Sequence, residues 1–421
     1  MVILLMFVLV ALGVPVTFSL GVAALGFFIT NDVSLVTFSQ KIAVATNSFN
    51  LLCLPFFILA GNLMNTGGVT RRLFNFFDSI FGHIRGGLSY VTVISSAVFS
   101  AISGSALANA AGLGGMQIKA MTDRDYPKAF STSVVTTASV LGPIIPPSIL
   151  MVIYGVTAGV SIQKQFIGGI LPGLLYVLMC SVLCFYYGRK FNLPKGDKFS
   201  IRRVGREFLD AIWALLAPVI VLGGIMTGMF TATESGAIAC VYVIIVGLFI
   251  YKELDTKQLY HCLLESAKTT GQILLIAATA AVLGFCLTYN RIPQHLAATL
   301  TSSISSKALM MVVFTVIYLF LGTIMEGAAI ILTTVPIFVG ICKTMGIDLV
   351  YFGIFVSVLM SVATITPPVG TVMFVICKMN KMTIGEYTKN MLPWFMMIVV
   401  FCLLIAIFPQ ISTWLPSVLA Q

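Results

Sequence analysis

Long apolar runs, each closed by charges or by clusters of glycine and proline, follow one another along the chain. A bilayer crossing takes about 20 apolar residues. The runs predict crossings near residues 2–29, 50–66, 128–156, 165–188, 208–228, 232–252, 270–290, 348–377 and 389–409. Two more apolar stretches, 87–118 and 308–341, have a different texture, and each follows an amphipathic piece, about 70–85 and 291–306. In the first piece Arg71, Arg72 and Arg85 are interleaved with Phe74, Phe76, Phe77, Ile80 and Phe81. That pattern predicts an interfacial helix with aromatics toward lipid and arginines toward headgroups. No stretch shows the roughly 10-residue alternation of a barrel strand, so the fold class is an all-α polytopic membrane protein.

Composition agrees. Of 421 residues, 59% are apolar and 9% charged, against roughly 25% charged in soluble proteins. The net charge of +10 would suit nucleic acid only if gathered on one soluble face. Here the basic residues sit in short segments between apolar runs, which argues for membrane orientation and no nucleic-acid partner. The nine cysteines (Cys53, Cys180, Cys184, Cys240, Cys262, Cys286, Cys342, Cys377, Cys402) lie mostly in apolar runs without CxxC spacing. They read as reduced small hydrophobes. The first apolar stretch runs nearly unbroken from Val2 to Ile29, past the length of a signal-peptide core, so no cleavable signal is expected.

Charge and repetition organise the map. If 87–118 and 308–341 each enter and leave on one side, 19 of the 24 basic residues fall on a single face. They include Arg71, Arg72, Arg85, Lys119, Arg124 and Lys128, the cluster from Arg189 to Arg206, Lys252, and Lys378 to Lys389. The other face holds Lys41, Lys164, Arg291, Lys307 and Lys343. This bias places the first face in the cytoplasm. Pro146-Pro147 recurs as Pro367-Pro368 and Leu171-Pro172 as Leu392-Pro393, both 221 positions on, with the same order of elements around them. Four crossings lie between the two proline-broken ones, so the halves have opposite orientation, a layout of many secondary transporters.

The chemistry should lie at the interruptions. Fifteen of the 21 residues from Ser95 to Gly115 are Gly, Ala or Ser, so this segment packs closely inside protein. Two limbs of about 12 residues, each ~18 Å long, cannot each cross a ~30 Å core. A re-entrant hairpin turning at Ser103-Gly104-Ser105 fits. Residues Gly142 to Ser148 read GPIIPPS and interrupt the next crossing. Proline removes a backbone donor and leaves carbonyls without helical partners. At membrane depth such carbonyls must be buried or line a cavity, where they can hold a cation. The second half offers Thr364 to Thr371 in the same place, beside a tip from Gly322 to Gly327. Two ion sites follow from this reading. Of the 14 acidic residues, Glu234 and Glu326 lie deep in apolar surroundings. Glu234 follows Thr231 by three residues and reads as half of a capping box. Glu326, at the second tip, has no such role and could balance a cation or contact a polar substrate.

Several motifs together resemble one family. They are Leu54-Pro55-Phe56-Phe57 with Ala60-Gly61, the Ser103-Gly104-Ser105 tip, Gly142-Pro143 through Pro146-Pro147-Ser148, Gly228 through Glu234, and Thr366-Pro367-Pro368-Val369-Gly370. Over essentially the whole chain they resemble the large membrane (M) subunit of TRAP transporters, nearest to those for sialic acid. The resemblance implies an inverted-repeat, elevator-type ion-transporter fold with two re-entrant hairpins and two proline-broken helices. It implies a sodium-driven importer in the bacterial inner membrane, taking a small organic acid such as sialic acid (alternatively a C4-dicarboxylate). Its partners would be membrane lipid, a separate small four-helix membrane subunit (Q) and a soluble periplasmic binding protein (P). Carried over, the first sodium site falls at Ser103, Ser105, Gly142, Ile145 and Pro147. The 221-residue offset then gives Ala363, Thr366 and Pro368 for the second, with Gly322 and Glu326 at the adjacent tip. Ser105, Asn109, Glu326 and Thr371 are candidates for substrate contact, near helix N-termini that favour negative charge. The implied organisation is an N-terminal membrane segment and loop (1–49), a first repeat (50–188), a cytoplasmic basic loop with connecting scaffold helices (189–269), a second repeat (270–409) and a tail (410–421). Within the repeats the hairpins lie at about 87–118 and 308–341, and the broken helices at about 128–156 and 348–377.

Enzymatic readings fare worse. No Gly-Lys-Ser/Thr phosphate loop and no HExxH occur. Ala101-Ile102-Ser103-Gly104 nearly matches a GxSG nucleophile of an intramembrane serine protease, which needs a buried histidine base. His261 and His295 sit among interfacial charges. The chain is therefore expected not to be an enzyme and to need no cofactor beyond Na+ as coupling ion. Carbonyls and hydroxyls crowd the breaks while Glu326 is the sole proton carrier there, so sodium rather than proton coupling is expected.

Overall fold

The chain folds entirely through helices. In the computed structural model, which describes residues 2–419, the described residues form twenty α-helices and one isolated β-bridge, Arg85 with Lys195. The first half comprises α1 (Val2–Ala11), α2 (Val16–Thr30), α3 (Leu35–Thr46), α4 (Cys53–Thr66), α5 (Val69–Phe81), α6 (Gly87–Ser103), α7 (Ala106–Thr122), α8 (Lys128–Ser139), α9 (Ile149–Ala158) and α10 (Ile162–Lys190). The second comprises α11 (Ile201–Met226), α12 (Ala232–Ile245), α13 (Thr256–Tyr289), α14 (Ile292–Ser303), α15 (Lys307–Gly322), α16 (Gly327–Met345), α17 (Leu349–Ala363), α18 (Thr371–Asn380), α19 (Ile384–Ile407) and α20 (Gln410–Leu419). Among the described residues, six helical spans are long and apolar enough to cross a membrane: α10, α11, α12 with its π turn to Ile250, α13, α16 and α19. Short polar residues start many helices by accepting from the first-turn N–H groups. Ser105, Ser148, Ser161 and Asp348 do so for α7, α9, α10 and α17.

The repeat extends through nearly all of the fold. Moved by 221 positions, the bounds of α6 through α10 fall within a few residues of those of α15 through α19. Packing repeats too. Helix α6 lies against α8 and α10, as α15 lies against α17 and α19, while α7 meets α18 as α16 meets α9. The two broken helices run antiparallel. Asn380 donates to Thr132 Oγ1 at one end (3.2 Å), and Tyr154 donates to the Leu349 carbonyl at the other (2.8 Å). Between them the Ser361 hydroxyl donates to the Val140 carbonyl, its own repeat position, at 2.5 Å.

Both hairpins return to the end at which they began. Arg124, just beyond α7, forms two hydrogen bonds to Asp78 (3.0 and 3.1 Å), which lies before α6 and is buried. Arg203 reaches the same carboxylate at 2.7 Å. The hydrogen-bonded Asp78 carboxylate holds the Arg124 guanidinium above its ordinary range. At the second hairpin, Lys307 Nζ at the start of α15 donates to the Gly346 carbonyl just past α16, at 2.9 Å.

Five features differ from expectation. The stretch 2–29 is two helices, because Gly13 takes a positive φ of 86° and Pro15 starts α2. Helix α3, expected as a loop, is capped by Ser34 and buries no side chain. Crossing 270–290 is the second part of α13, which begins earlier at a capping box of Asp255 and Gln258. Helix α5 is amphipathic as read, but its apolar face meets protein rather than lipid. Phe74 and Phe77 are buried where α5 packs on α6 and α11, and Arg72 is buried with Glu253 (2.8 Å) and Asp210 (3.1 Å). Residues 410–419 of the expected tail form α20, packed on α10. Met1, Ala420 and Gln421, from the expected N-terminal segment and tail, lie outside the described residues.

Candidate functional site

The first hairpin tip is seated in the first proline break. Gly104 ends α6 in the left-handed conformation (φ 59°), and its carbonyl accepts from Ile149 N–H at the start of α9, at 3.3 Å. A Cβ on Gly104 would stand 2.5 Å from the Pro147 carbonyl oxygen. One on Gly142 would collide with the Ser105 carbonyl group and stand 2.5 Å from Ala106 N. Only glycine permits so close an approach of two main chains. From the other side Gly61 of α4 presses on Ser103, where a Cβ would lie 3.1 Å from the serine Cβ. The expected residues Ser103, Ser105, Gly142 and Pro147 thus meet in one place, with Ile145 on the same turn.

This place is rich in oxygen atoms without partners. Between Ser139 and Ser148 the chain leaves the helix, with a cis bond between Pro146 and Pro147. The carbonyls of Gly142, Pro143, Ile144, Ile145, Pro146 and Pro147 accept no hydrogen bond among the described residues. Ser103 is 1% exposed and its hydroxyl has no partner. The Thr137 hydroxyl, one turn before the break, is likewise buried and without a partner. Buried polar groups are nearly always satisfied, so this collection of oxygen atoms could hold a hard cation, which takes oxygen ligands. Thr137 was missed in the sequence, where its position inside a regular helical run gave no signal. Because Ser103 has no partner, no histidine activates it, and His261 and His295 are exposed.

The second break is built differently. The Pro367–Pro368 bond is also cis, but here the chain closes on itself. The Thr364 carbonyl accepts from Val372 N–H (2.9 Å), Thr366 from Gly370 N–H (3.1 Å), and Ile365 from the buried Tyr387 hydroxyl (2.7 Å). The Thr366 hydroxyl donates back to Val362. Gly322 touches Ala363, so α15 is pressed on the end of α17. The second tip has no bond like that between Gly104 and Ile149, since Gly370 N–H is taken by Thr366. Pro368 and Val369 are exposed.

Of the candidates for substrate contact, Ser105 and Thr371 are half-buried and Glu326 is exposed. Glu326 precedes α16 without capping it, which leaves its carboxylate available. Asn109 is buried between the hairpin limbs, where its amide donates to the Ser96 carbonyl (3.2 Å) and Ser100 Oγ (2.9 Å). Glu234 forms the reciprocal capping box with Thr231, as read from the sequence.

Comparison with known proteins converges. Residues 3–411 match the family described as "Tripartite ATP-independent periplasmic transporter, DctM component". The chain is 36% identical to the sialic acid TRAP transporter permease protein SiaT of Haemophilus influenzae, over 98% of this chain and 67% of that protein. It is 38% identical to the C4-dicarboxylate TRAP transporter large permease protein DctM of Pseudomonas aeruginosa, over 95% of this chain and 94% of that one. In fold it is similar to the YdaH transporter of Alcanivorax borkumensis, with a TM-score of 0.63 and 15% identity over 90% of this chain and 88% of that one.

Proposed function

The chain belongs to the DctM family of tripartite ATP-independent periplasmic transporters, and from that premise we propose a sodium-coupled importer of a small organic carboxylate. It is a multi-pass membrane permease, and we place it in the inner membrane of a bacterium. It works with a separate small membrane subunit and with a periplasmic binding protein that delivers the cargo. The observation that carries the coupling ion is the group of six unpaired carbonyls beneath a seated hairpin tip, with the partnerless hydroxyls of Ser103 and Thr137. A sodium ion there replaces its hydration shell with these oxygens, which costs little because none has to surrender an existing hydrogen bond. The second site, at Gly322, Glu326, Ala363, Thr366 and Pro368, forms only after the second break reopens and its tip seats as the first one does.

The cargo meets the protein at Ser105, Glu326 and Thr371, with Asn109 holding the first hairpin in shape for them. Helix starts at α7 and α18 favour the carboxylate, and the Glu326 carboxylate accepts from cargo hydroxyls. Hydroxyl-rich sialic acid suits that pairing, while the 38% identical dicarboxylate relative supports succinate-like cargo as the second reading. The hairpins are re-entrant, and they move with the broken helices as one elevator body against α2–α4 and α11–α14.

Uptake by the reconstituted three-component system tests this. Radiolabelled sialate or succinate should accumulate against its gradient with external sodium and not with choline. Equal uptake in choline, or uptake driven by a pH gradient without sodium, would overturn the reading.

A further inference from the structure

A separate cavity of about 550 Å³ opens beside the base of the first hairpin, lined by His83, Ile84, Arg85, Tyr90, Phe185, Gly188, Arg189 and Lys195. Elsewhere on this face most arginines, Arg202 aside, are matched with acids. Arg71 and Arg72 pair with Glu253, Arg124 and Arg203 with Asp78, and Arg206 with Glu207. Arg85, Arg189 and Lys195 have no carboxylate partner among the described residues, and no acid lines the cavity. His83 adds an Nδ1 that is shut off from solvent and makes no hydrogen bond. Three cations without acidic partners converge on one space, with His83 in its wall.

The walls show what kind of anion fits. The Arg189 guanidinium stands over the Phe185 ring, 4.2 Å from the ring centre, and meets no carboxylate among the described residues, so its N–H groups are available to fork onto a phosphate. Phe185 and Tyr186 are exposed, on the last turns of the membrane-length helix α10. The cavity therefore joins exposed cationic side chains to the aromatic rings of Tyr90 and Phe185 at the level where a crossing helix leaves the bilayer, the amphiphilic match of a headgroup with its glycerol attached. A free phosphate would leave those rings unused.

We propose that this cavity binds the phosphate of an anionic glycerophospholipid. The headgroup bridges three segments: the turn before α6, the end of α10 and the loop carrying Lys195. The isolated bridge between Arg85 and Lys195 already joins two of them, and close backbone approach of Gly86 to Gly188 joins the third. The bound lipid thereby braces the base of the first hairpin.

The test uses delipidated full-length protein in a neutral detergent, titrated with phosphatidylglycerol, phosphatidylcholine or inorganic phosphate while thermal unfolding is followed. Phosphatidylglycerol should raise the unfolding temperature and the other two should not. Arg85→Gln and Lys195→Gln should each weaken its apparent affinity about fivefold, while Lys252→Gln and Lys381→Gln, exposed on the same face, should not. Photoactivatable phosphatidylglycerol on the unaltered protein should crosslink to segments 83–90 and 185–195, which keeps the test independent of variant folding. Equal stabilisation by phosphatidylcholine or by phosphate, equal losses in the two control variants, or crosslinks confined to other segments would overturn the proposal.

Discussion

Within the proposed ion site, Ser103 has the fewest competing roles. Its hydroxyl makes no hydrogen bond, so Ser103→Ala removes an ion ligand without breaking an internal contact. An interaction with a charged group contributes about 1.5–3 kcal/mol, so the half-saturating sodium concentration for uptake should rise about tenfold or more. Unfolding temperature in the absence of sodium should stay near that of the unaltered protein. Thr137→Val should behave similarly, since its hydroxyl is also without a partner. Gly142→Ala acts through geometry instead. The new Cβ would press on Ser105 and Ala106 backbone, lifting the tip off the break and abolishing sodium-dependent uptake. Gly159→Ala, where nothing lies within 4 Å but φ is positive (69°), should cost stability of about 1–2 kcal/mol without changing sodium dependence.

At the scale of elements, the first hairpin was legible because composition betrayed it, and the second through its place in the repeat. A run of 15 small residues in 21 cannot face lipid, and proline pairs mark breaks whatever surrounds them. The internal asymmetry was not legible. Whether carbonyls stay open at 142–147 or close at 364–366 depends on where the next N–H groups turn: Ile149 N–H goes to Gly104 of the hairpin tip, while its counterpart Gly370 N–H turns back onto Thr366. Helix α5 was misjudged for a related reason. Its phenylalanines suit lipid and protein equally, and only the acids Asp210 and Glu253, far away in sequence, show that Arg72 turns inward. The base of the first hairpin hangs on Asp78, which joins Arg124 and Arg203. Asp78→Asn strips Arg124 of its partner and leaves Arg203 only Asp197, and it should destabilise the protein by about 2 kcal/mol, less than a fully buried pair would lose. Thermal unfolding checks this, and an unchanged midpoint would show that the charges are individually solvated.

Over the whole molecule, the arithmetic of 221 positions reaches further than two proline pairs suggested. Even α3 and α4, separated in the first half, correspond to the continuous α13 in the second. Antiparallel pairing of the broken helices gives the halves opposite senses, as the bias of 19 basic residues against five requires. All nine cysteines are buried, so single introduced cysteines can report sidedness in the native background. Lys164→Cys and Lys343→Cys should react with an impermeant maleimide applied outside spheroplasts. Lys252→Cys and Lys381→Cys should react only after the membrane is opened, and the reverse pattern would invert the orientation.

Sodium binding to the purified subunit bears most directly on the ion site, because it needs neither cargo nor partners. A ligand that binds only the folded state raises stability with the logarithm of its concentration. Thermal unfolding should shift upward with added NaCl but not with KCl or choline chloride at equal ionic strength, and Ser103→Ala should need about ten times more sodium for the same shift. Identical responses to all three salts, or an unchanged sodium response in Ser103→Ala, would contradict a sodium site at the seated tip.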